Sequence, residues 1–107
     1  MEIKVFKNNN KTLYFEFYVG EGVDYDIPIG TVLKFSVKKS VTDGDEDLIF
    51  SKTITGDGGS DYIVDLTTND TNIDTGVYFW DLKNITDGVT ITSPDRFIIE
   101  EVVLINE

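Results

Sequence analysis

The sequence predicts an all-β fold, in which residues 1–107 form one domain built as a two-sheet antiparallel β-sandwich of roughly seven to nine strands. Three observations lead to this prediction. Apolar and polar residues alternate in short segments that recur about every 8 to 12 residues. Glycine- and aspartate-rich turns separate these segments. No stretch of about ten residues has helical periodicity, and alanine, the strongest helix former, is absent.

The first half of the chain is expected to contribute four strands. They cover residues 1–6, 13–19, 31–39 and about 48–54. The alternation is cleanest in the third, where Leu33, Phe35 and Val37 point inward and Lys34, Ser36 and Lys38 point outward. Pro28 lacks a backbone N–H, so residues 24–30 are predicted to form a loop or a sheet edge. Residues 56–59 (Gly-Asp-Gly-Gly) are typical of a hairpin connection.

The second half begins with a strand in which Tyr62, Val64 and Leu66 point inward. A short irregular connection over residues 67–72 follows, with room for one helical turn. Asp87-Gly88 predicts a hairpin after the next strand. A turn at Ser93-Pro94-Asp95 is expected to precede a last strand from about residue 97 to 105.

Residues 74–82 have the pattern of a tyrosine corner. Asp74-Thr75-Gly76-Val77-Tyr78 places a tight turn directly before the most aromatic strand of the chain. In such a corner a buried tyrosine hydroxyl bonds to nearby backbone. We therefore expect Tyr78 to be buried, with its hydroxyl bonded within residues 67–74, and Trp80 to lie in the core.

Composition excludes several classes of function. The net charge of -11 disfavours nucleic acid and anionic membranes as partners, because their phosphates would be repelled. The chain has no cysteine and no histidine, which removes disulfides, thiolate metal sites and both Ser-His-Asp and Cys-His catalysis. Residues 1–6 contain no long apolar run, so no signal peptide is expected. We predict no enzymatic activity, no catalytic residues and no cofactor.

The acidic turn with Asp43, Asp45, Glu46 and Asp47 is the obvious candidate for a calcium site. It starts like an EF-hand loop, but Leu48 stands where that loop needs glycine and Ile54 where it needs glutamate. The EF-hand interpretation therefore fails, and no metal site is predicted. A looser site that draws on Asp24, Asp26 or Asp57 stays an open alternative, as does a solvated turn that discourages edge-to-edge pairing.

Apolar side chains on outward faces are the main indication of binding. Tyr14, Tyr18 and Phe79 lie on the faces opposite the core residues of their strands. The last strand is apolar on both faces: Phe97, Ile99, Val103 and Ile105 alternate with Ile98, Val102 and Leu104. Such a strand is either covered on both sides within the fold or takes part in an interface.

The corner at residues 74–78 resembles the entry to strand F of immunoglobulin-like domains, with Trp80 where antibody domains carry a cysteine. The strand pattern is similar to small β-sandwich modules of tailed-phage and prophage virion proteins, such as the N-terminal module of upper baseplate proteins. The similarity extends over about residues 11–104. It includes residues 26–30 before the strand 31–39, the stretch Gly76-Val77-Tyr78-Phe79-Trp80-Asp81, and Asp87-Gly88.

The resemblance implies a non-enzymatic structural protein located in the virion, in a tail, a baseplate or the head surface. Its partners would be other virion proteins or copies of itself in a homo-oligomer, with no shared catalytic residues in the family. The alternative hypothesis is a carbohydrate-binding or adhesion module that uses Tyr14, Tyr18 or Phe79 as stacking platforms.

Overall fold

The computed structural model describes residues 1–18, 22–40 and 48–101, which form seven strands and one short helix. In chain order the elements are β1 (Ile3–Phe6), β2 (Lys11–Glu16), β3 (Val32–Lys38), β4 (Leu48–Thr55), β5 (Asp61–Leu66), α1 (Thr68–Thr71), β6 (Gly76–Asn84) and β7 (Val89–Glu100). The prediction of an all-β fold is confirmed, since strands dominate. The helix α1 is the single turn expected within residues 67–72, and Thr67 and Asp70 cap it reciprocally.

The strands form two sheets. The large sheet has five strands in the order β1-β7-β6-β3-β4, and the small sheet contains β2 and β5. β1 runs parallel to β7, whereas the other pairs are antiparallel, so the prediction of purely antiparallel sheets is wrong at β1. Alternation within residues 1–6 specifies which face is buried but not the strand's direction. No hairpin links β1 to β7, and long-range pairing therefore decides that direction.

The inner faces of both sheets enclose one apolar cluster. Its buried members in the described residues are Ile3, Val5, Leu13, Phe15, Phe17, Ile27, Leu33, Phe35, Val37, Ile54, Tyr62, Val64, Leu66, Tyr78, Trp80, Leu82, Phe97 and Ile99. At its centre, Trp80 lies 5.7 Å from Phe15 and 5.5 Å from Phe35 between ring centroids, and Phe15 lies 6.0 Å from Phe35. This aromatic triad connects the small sheet, through Phe15, to β3 and β6 of the large one.

The tyrosine corner is confirmed. Tyr78 is buried, and its hydroxyl donates a hydrogen bond of 2.7 Å to the backbone oxygen of Asp74. Burial, and secondarily the nearby Asp74 carboxylate, raises the pKa of Tyr78. Gly76 has a φ of 147°, a conformation that side-chain-bearing residues rarely adopt, which explains glycine at this position. Trp80 is core, as predicted, and its indole N–H donates to the backbone oxygen of Met1 at 2.9 Å.

Residues 56–59 do not form the predicted hairpin. β4 pairs with β3 and β5 pairs with β2, so this turn carries the chain from one sheet to the other. It bonds instead to the loop that contains Ile27: the backbone N–H of Gly58 donates to the oxygen of Ile27 at 2.9 Å, and the N–H of Ile27 donates to Gly59 at 2.8 Å. The contact is close, because a Cβ on Gly56 would lie 2.3 Å from the backbone oxygen of Pro28.

The turn predicted at Ser93-Pro94-Asp95 is also wrong. These residues lie within β7, which is one continuous strand of 12 residues. Trp80 pairs with Asp95 and Leu82 pairs with Thr92, so Asp81 faces two residues of β7 and the ladder contains a bulge. A bulge accommodates a proline in a strand interior, because the missing N–H falls where the ladder is already interrupted. The hairpin at Asp87-Gly88 is confirmed, with residues 85–88 as its loop.

The outer face of the large sheet is less exposed than the alternation predicts. Ser36 and Lys38 lie opposite the core residues of β3, as expected, yet both side chains are buried. Asp81, which pairs with Ser36, is buried as well, and its Oδ1 has no hydrogen-bond partner among the residues that the structure describes. In the part of the chain that the structure describes, no helix is long and apolar enough to cross a membrane.

Candidate interaction groove

A groove of about 500 Å³ lies between β4 and the small sheet. We call it the β4–β5 groove. Its walls come from β4, from the small-sheet strands β2 and β5, and from the turn that follows β4. The lining residues are Tyr14, Phe15, Glu16, Thr53, Ile54, Thr55, Asp57, Asp61, Tyr62 and Ile63. The groove exists because the chain changes sheets between β4 and β5, which leaves these two strands side by side without a shared ladder.

Both strands that flank the groove are the last strands of their sheets. In the described residues, β4 pairs with β3 alone and β5 pairs with β2 alone. Each strand therefore presents one edge on which backbone N–H and C=O groups have no ladder partner. Such edges can accept an additional strand from another molecule.

The register identifies which groups of β5 point to the open edge. The N–H of Phe17 donates to the oxygen of Ser60 at 2.9 Å, which makes these residues a hydrogen-bonded pair at the end of the β2–β5 ladder. Because hydrogen-bonded and non-hydrogen-bonded pairs alternate, Tyr62 and Val64 also direct their backbone groups toward β2. The N–H and C=O groups of Asp61, Ile63 and Asp65 consequently point away from β2.

Carboxylates dominate the electrostatics of the groove. Glu16, Asp57 and Asp61 contribute to its walls, and no lysine or arginine does. The Glu16 carboxylate accepts a hydrogen bond from the Tyr18 hydroxyl, and this bond is the main cause of the raised pKa of Tyr18. A hydrogen bond from the Gly59 backbone N–H lowers the pKa of Asp57, so this carboxyl is ionised at neutral pH. The groove is a site of negative potential.

Apolar surface adjoins these carboxylates. Tyr14 is 74% exposed and pairs across the small sheet with Ile63, which is 54% exposed. Side chains directly opposite each other in an antiparallel pair lie on the same face of the sheet. Tyr14 and Ile63 thus form a small apolar platform, and Glu16 and Asp61 are the next pair on the same face of the sheet.

Tyr62 fixes the turn at the end of the groove. Its hydroxyl donates to the backbone oxygen of Gly59 at 2.8 Å and accepts from the N–H of Asp57 at 3.1 Å. Burial raises the pKa of this tyrosine, so the hydroxyl keeps its proton at neutral pH. The alternation in β5 predicts that Tyr62 points inward but does not predict this role. A signal was present, because a tyrosine at an inward position must find a partner for its hydroxyl.

The structure separates the aromatic residues that the sequence singled out. Tyr14 lies in the wall of the groove. Tyr18 is 53% exposed beyond the end of β2, where it forms an isolated bridge with Asp24. Phe79 is half-buried on β6 of the large sheet and does not line the groove. The three residues therefore do not form one stacking surface.

The calcium candidates are likewise dispersed. Asp43, Asp45, Glu46 and Asp47 lie outside the described residues, whereas Asp24 and Asp26 are exposed in a loop and Asp57 lies in the groove wall. Among the described residues, no group of three or more acidic, histidine or cysteine side chains is placed to hold a metal ion.

The final apolar run is placed only in part. Phe97 and Ile99 are buried in the core and Ile98 is half-buried on the other face of β7. Val102, Val103, Leu104 and Ile105 lie outside the described residues. Of this run, Phe97 and Ile99 are thus covered within the fold. Covering of the run by the fold or by an interface is decided for these two residues alone.

Comparison of the chain with models of protein families, with curated proteins and with solved structures found no match in any of the three. The chemistry of the groove is consequently the basis for any functional assignment. It combines strand edges that offer backbone N–H and C=O groups, an apolar platform and three carboxylates without a lysine or arginine among the described lining residues. These groups are suited to binding an extended, hydrogen-bonding molecule.

Proposed function

We propose that this chain is a non-enzymatic assembly module of a tailed-phage or prophage virion, which acts through protein–protein contacts in a tail, a baseplate or the head surface. The observation that carries the proposal is the pair of open strand edges along the β4–β5 groove. Open edges are a hazard for a protein that functions alone, because they template pairing with other chains. They are useful in a protein whose function is to be joined to others.

We further propose that the fold is an immunoglobulin-like sandwich. The strand order supports this assignment, since β7, β6, β3 and β4 correspond to G-F-C-C′ and the β2–β5 pair corresponds to B-E. The tyrosine corner lies at the start of the strand that corresponds to F. The triad of Phe15, Phe35 and Trp80 occupies the place where antibody domains pack a tryptophan of strand C against the B–F disulfide.

The virion assignment is tested on purified particles. Phage particles released from the bacterium that carries the gene are banded by density, analysed by mass spectrometry and labelled with gold-conjugated antibodies. We expect the chain to be present in a fixed copy number and to label one location. Its absence from the particles would overturn the virion role.

Assembly through protein contacts is tested by size-exclusion chromatography with light scattering. The chain is measured alone and with each of the other purified virion proteins. We expect either a homo-oligomer or a defined complex with another virion protein. A strict monomer that also ignores every other virion protein would contradict the proposal.

A second candidate function is carbohydrate binding. It is favoured by the exposed Tyr14 ring beside the carboxylates of Glu16 and Asp61, because sugars stack on aromatic rings and donate hydroxyl hydrogen bonds to carboxylates. A glycan array with the natural chain and a Tyr14→Ala variant separates the two candidates. Sugar binding that depends on Tyr14 would favour this function over assembly.

A further inference from the structure

We infer that the β4–β5 groove receives an extended, basic segment of a partner protein, which pairs with β5 as the third strand of the small sheet. The inference rests on the proposed assembly function and specifies its partner. The occupant is a strand because the outward backbone groups of Asp61, Ile63 and Asp65 form one half of a ladder. A segment of about five residues, roughly 17 Å long, pairs with all three of these residues.

The charge of the groove identifies the partner as basic. Glu16, Asp57 and Asp61 line the groove without any lysine or arginine among the lining residues, and Asp65 continues the acidic row along β5. A second copy of this chain is a poor occupant, because the chain has a net charge of -11 and its 20 acidic residues outnumber its 9 basic ones. Opposite charges across a strand pair stabilise it, and like charges destabilise it.

The side chains of β5 further predict the pattern of the incoming strand. Asp61, Ile63 and Asp65 are exposed on one face of the small sheet. Residues of the new strand that face them directly are two apart from each other along that strand. We therefore expect a cationic, an apolar and a cationic residue at alternate positions. The apolar residue would contact Ile63 and the Tyr14 ring, which is paired with Ile63.

The residues between these positions point to the opposite face of the new strand, toward β4. There they meet Thr53 and Thr55, which line the other wall of the groove. Threonine or valine fits this environment, because both are favoured in strands and because exposed Thr53 and Thr55 flank buried Ile54 there. The predicted partner segment is thus an alternating one, with lysine or arginine flanking an aliphatic residue on its outer face.

The experiment selects ligands for the intact chain from a displayed library of random nonapeptides. We expect enrichment of peptides that place two cationic residues four positions apart with a β-branched residue midway. A synthetic peptide with the enriched sequence is then added to isotope-labelled protein. Its binding should slow hydrogen exchange at the amides of Asp61, Ile63 and Asp65, whereas the amides of Tyr62 and Val64 are already protected by β2 in the free chain.

A charge-reversal variant tests the electrostatic part. In Asp61→Lys/Asp65→Lys the affinity for the basic peptide should fall at least about tenfold, and a peptide with glutamate at both cationic positions should bind in its place. The matched control is Asp26→Lys/Glu101→Lys, which changes the net charge equally at two exposed residues outside the groove. The control variant should bind the basic peptide within about threefold of the natural chain, since exposed charges that do not line the groove are screened by salt.

Several results would overturn the inference. The first is a library selection that enriches no cationic pattern. The second is a bound peptide that leaves the amides of Asp61, Ile63 and Asp65 unprotected. The third is a charge-reversal variant that still prefers the basic peptide over the acidic one. Protection of these amides by a second copy or by a glycan would assign the groove to a different occupant. A chain present in virions with the three amides unprotected overturns this inference alone. Peptide pairing by a chain absent from virions supports the docking groove and overturns the virion role.

Discussion

The large and the small sheet bury their inner faces equally well but differ in what they leave open. In the large sheet, β7, β6 and β3 are each flanked by strands on both sides, and Ser36, Lys38 and Asp81 are buried even on its outer face. In the small sheet both strands are edge strands, and Tyr14 and Ile63 are exposed on the outer face. We therefore expect the large sheet to contribute most of the stability, and we place the proposed docking strand on the small one.

The largest expected effect is the loss of the aromatic triad in the core. Trp80→Ala removes the ring that contacts both Phe15 and Phe35, and it removes the indole bond to Met1. We expect the free energy of unfolding to fall by about 3 to 5 kcal/mol, measured by urea denaturation. Tyr14→Ala, on the exposed face of the small sheet, should change it by less than about 0.5 kcal/mol. If both variants lost a similar free energy of unfolding, the expected difference in stability between the two sheets would be contradicted.

The next effect compares the two buried tyrosine hydroxyls, one in each sheet. Tyr62→Phe leaves the backbone oxygen of Gly59 and the N–H of Asp57 without the partner they share. We expect a loss of about 2 kcal/mol, because two hydrogen bonds of about 1 kcal/mol each are lost. Thermal unfolding monitored by circular dichroism measures it. A midpoint equal to that of the natural chain would mean that water replaces the hydroxyl.

Tyr78→Phe should cost less. This hydroxyl makes one hydrogen bond, to the backbone oxygen of Asp74, so we expect a loss of about 1 kcal/mol. The same thermal measurement, with Tyr62→Phe as the comparison, ranks the two turns. If Tyr78→Phe lowers the unfolding midpoint more than Tyr62→Phe does, the corner in the large sheet contributes more to stability than the turn that Tyr62 fixes.

The smallest effect concerns an ion pair that links β4 of the large sheet to the helix α1. Lys52 of β4 lies 2.7 Å from the carboxylate of Asp70 in the helix that follows β5. Burial alone would raise the pKa of Asp70, but hydrogen bonds from Lys52 and Thr67 outweigh it, so the pKa is lowered from its usual value of 3.8. A lowered pKa in the folded state contributes stability above the unfolded pKa, and that stability is lost as pH falls through the folded pKa.

Asp70→Asn should therefore cost about 0.5 to 1 kcal/mol at pH 7, because the pair is partly solvated. The difference from the natural chain should disappear as the pH is lowered below about 4. Urea denaturation at pH 7, 5, 4 and 3 measures both features. Asp26→Asn, at an exposed loop position, is the control and should have no effect at pH 7. A cost for Asp70→Asn that stays constant with pH would contradict the role of the ion pair.

Much of the candidate groove could not be predicted from the sequence. Exposure of Tyr14 followed from its position opposite Phe15, and the exposed acidic positions of β5 followed from alternation with Val64 and Leu66. The groove itself did not follow, because it depends on β4 and β5 belonging to different sheets. Gly-Asp-Gly-Gly at residues 56–59 is equally compatible with a hairpin, which would have closed the edge that is open in the structure.

By itself the sequence determined which side chains of β2, β3, β5 and β6 face the core and where the tyrosine corner lies. Alternation and turn chemistry are local properties, and a strand that slips by one residue would expose its entire apolar face. The inward positions of β2, β3, β5 and β6 are accordingly as predicted. The tertiary structure alone decided the parallel direction of β1, the bulge opposite Asp81 and the open edge of β5. Each of these depends on pairing between residues far apart in the chain, and a local pattern favours no particular partner among the strands available.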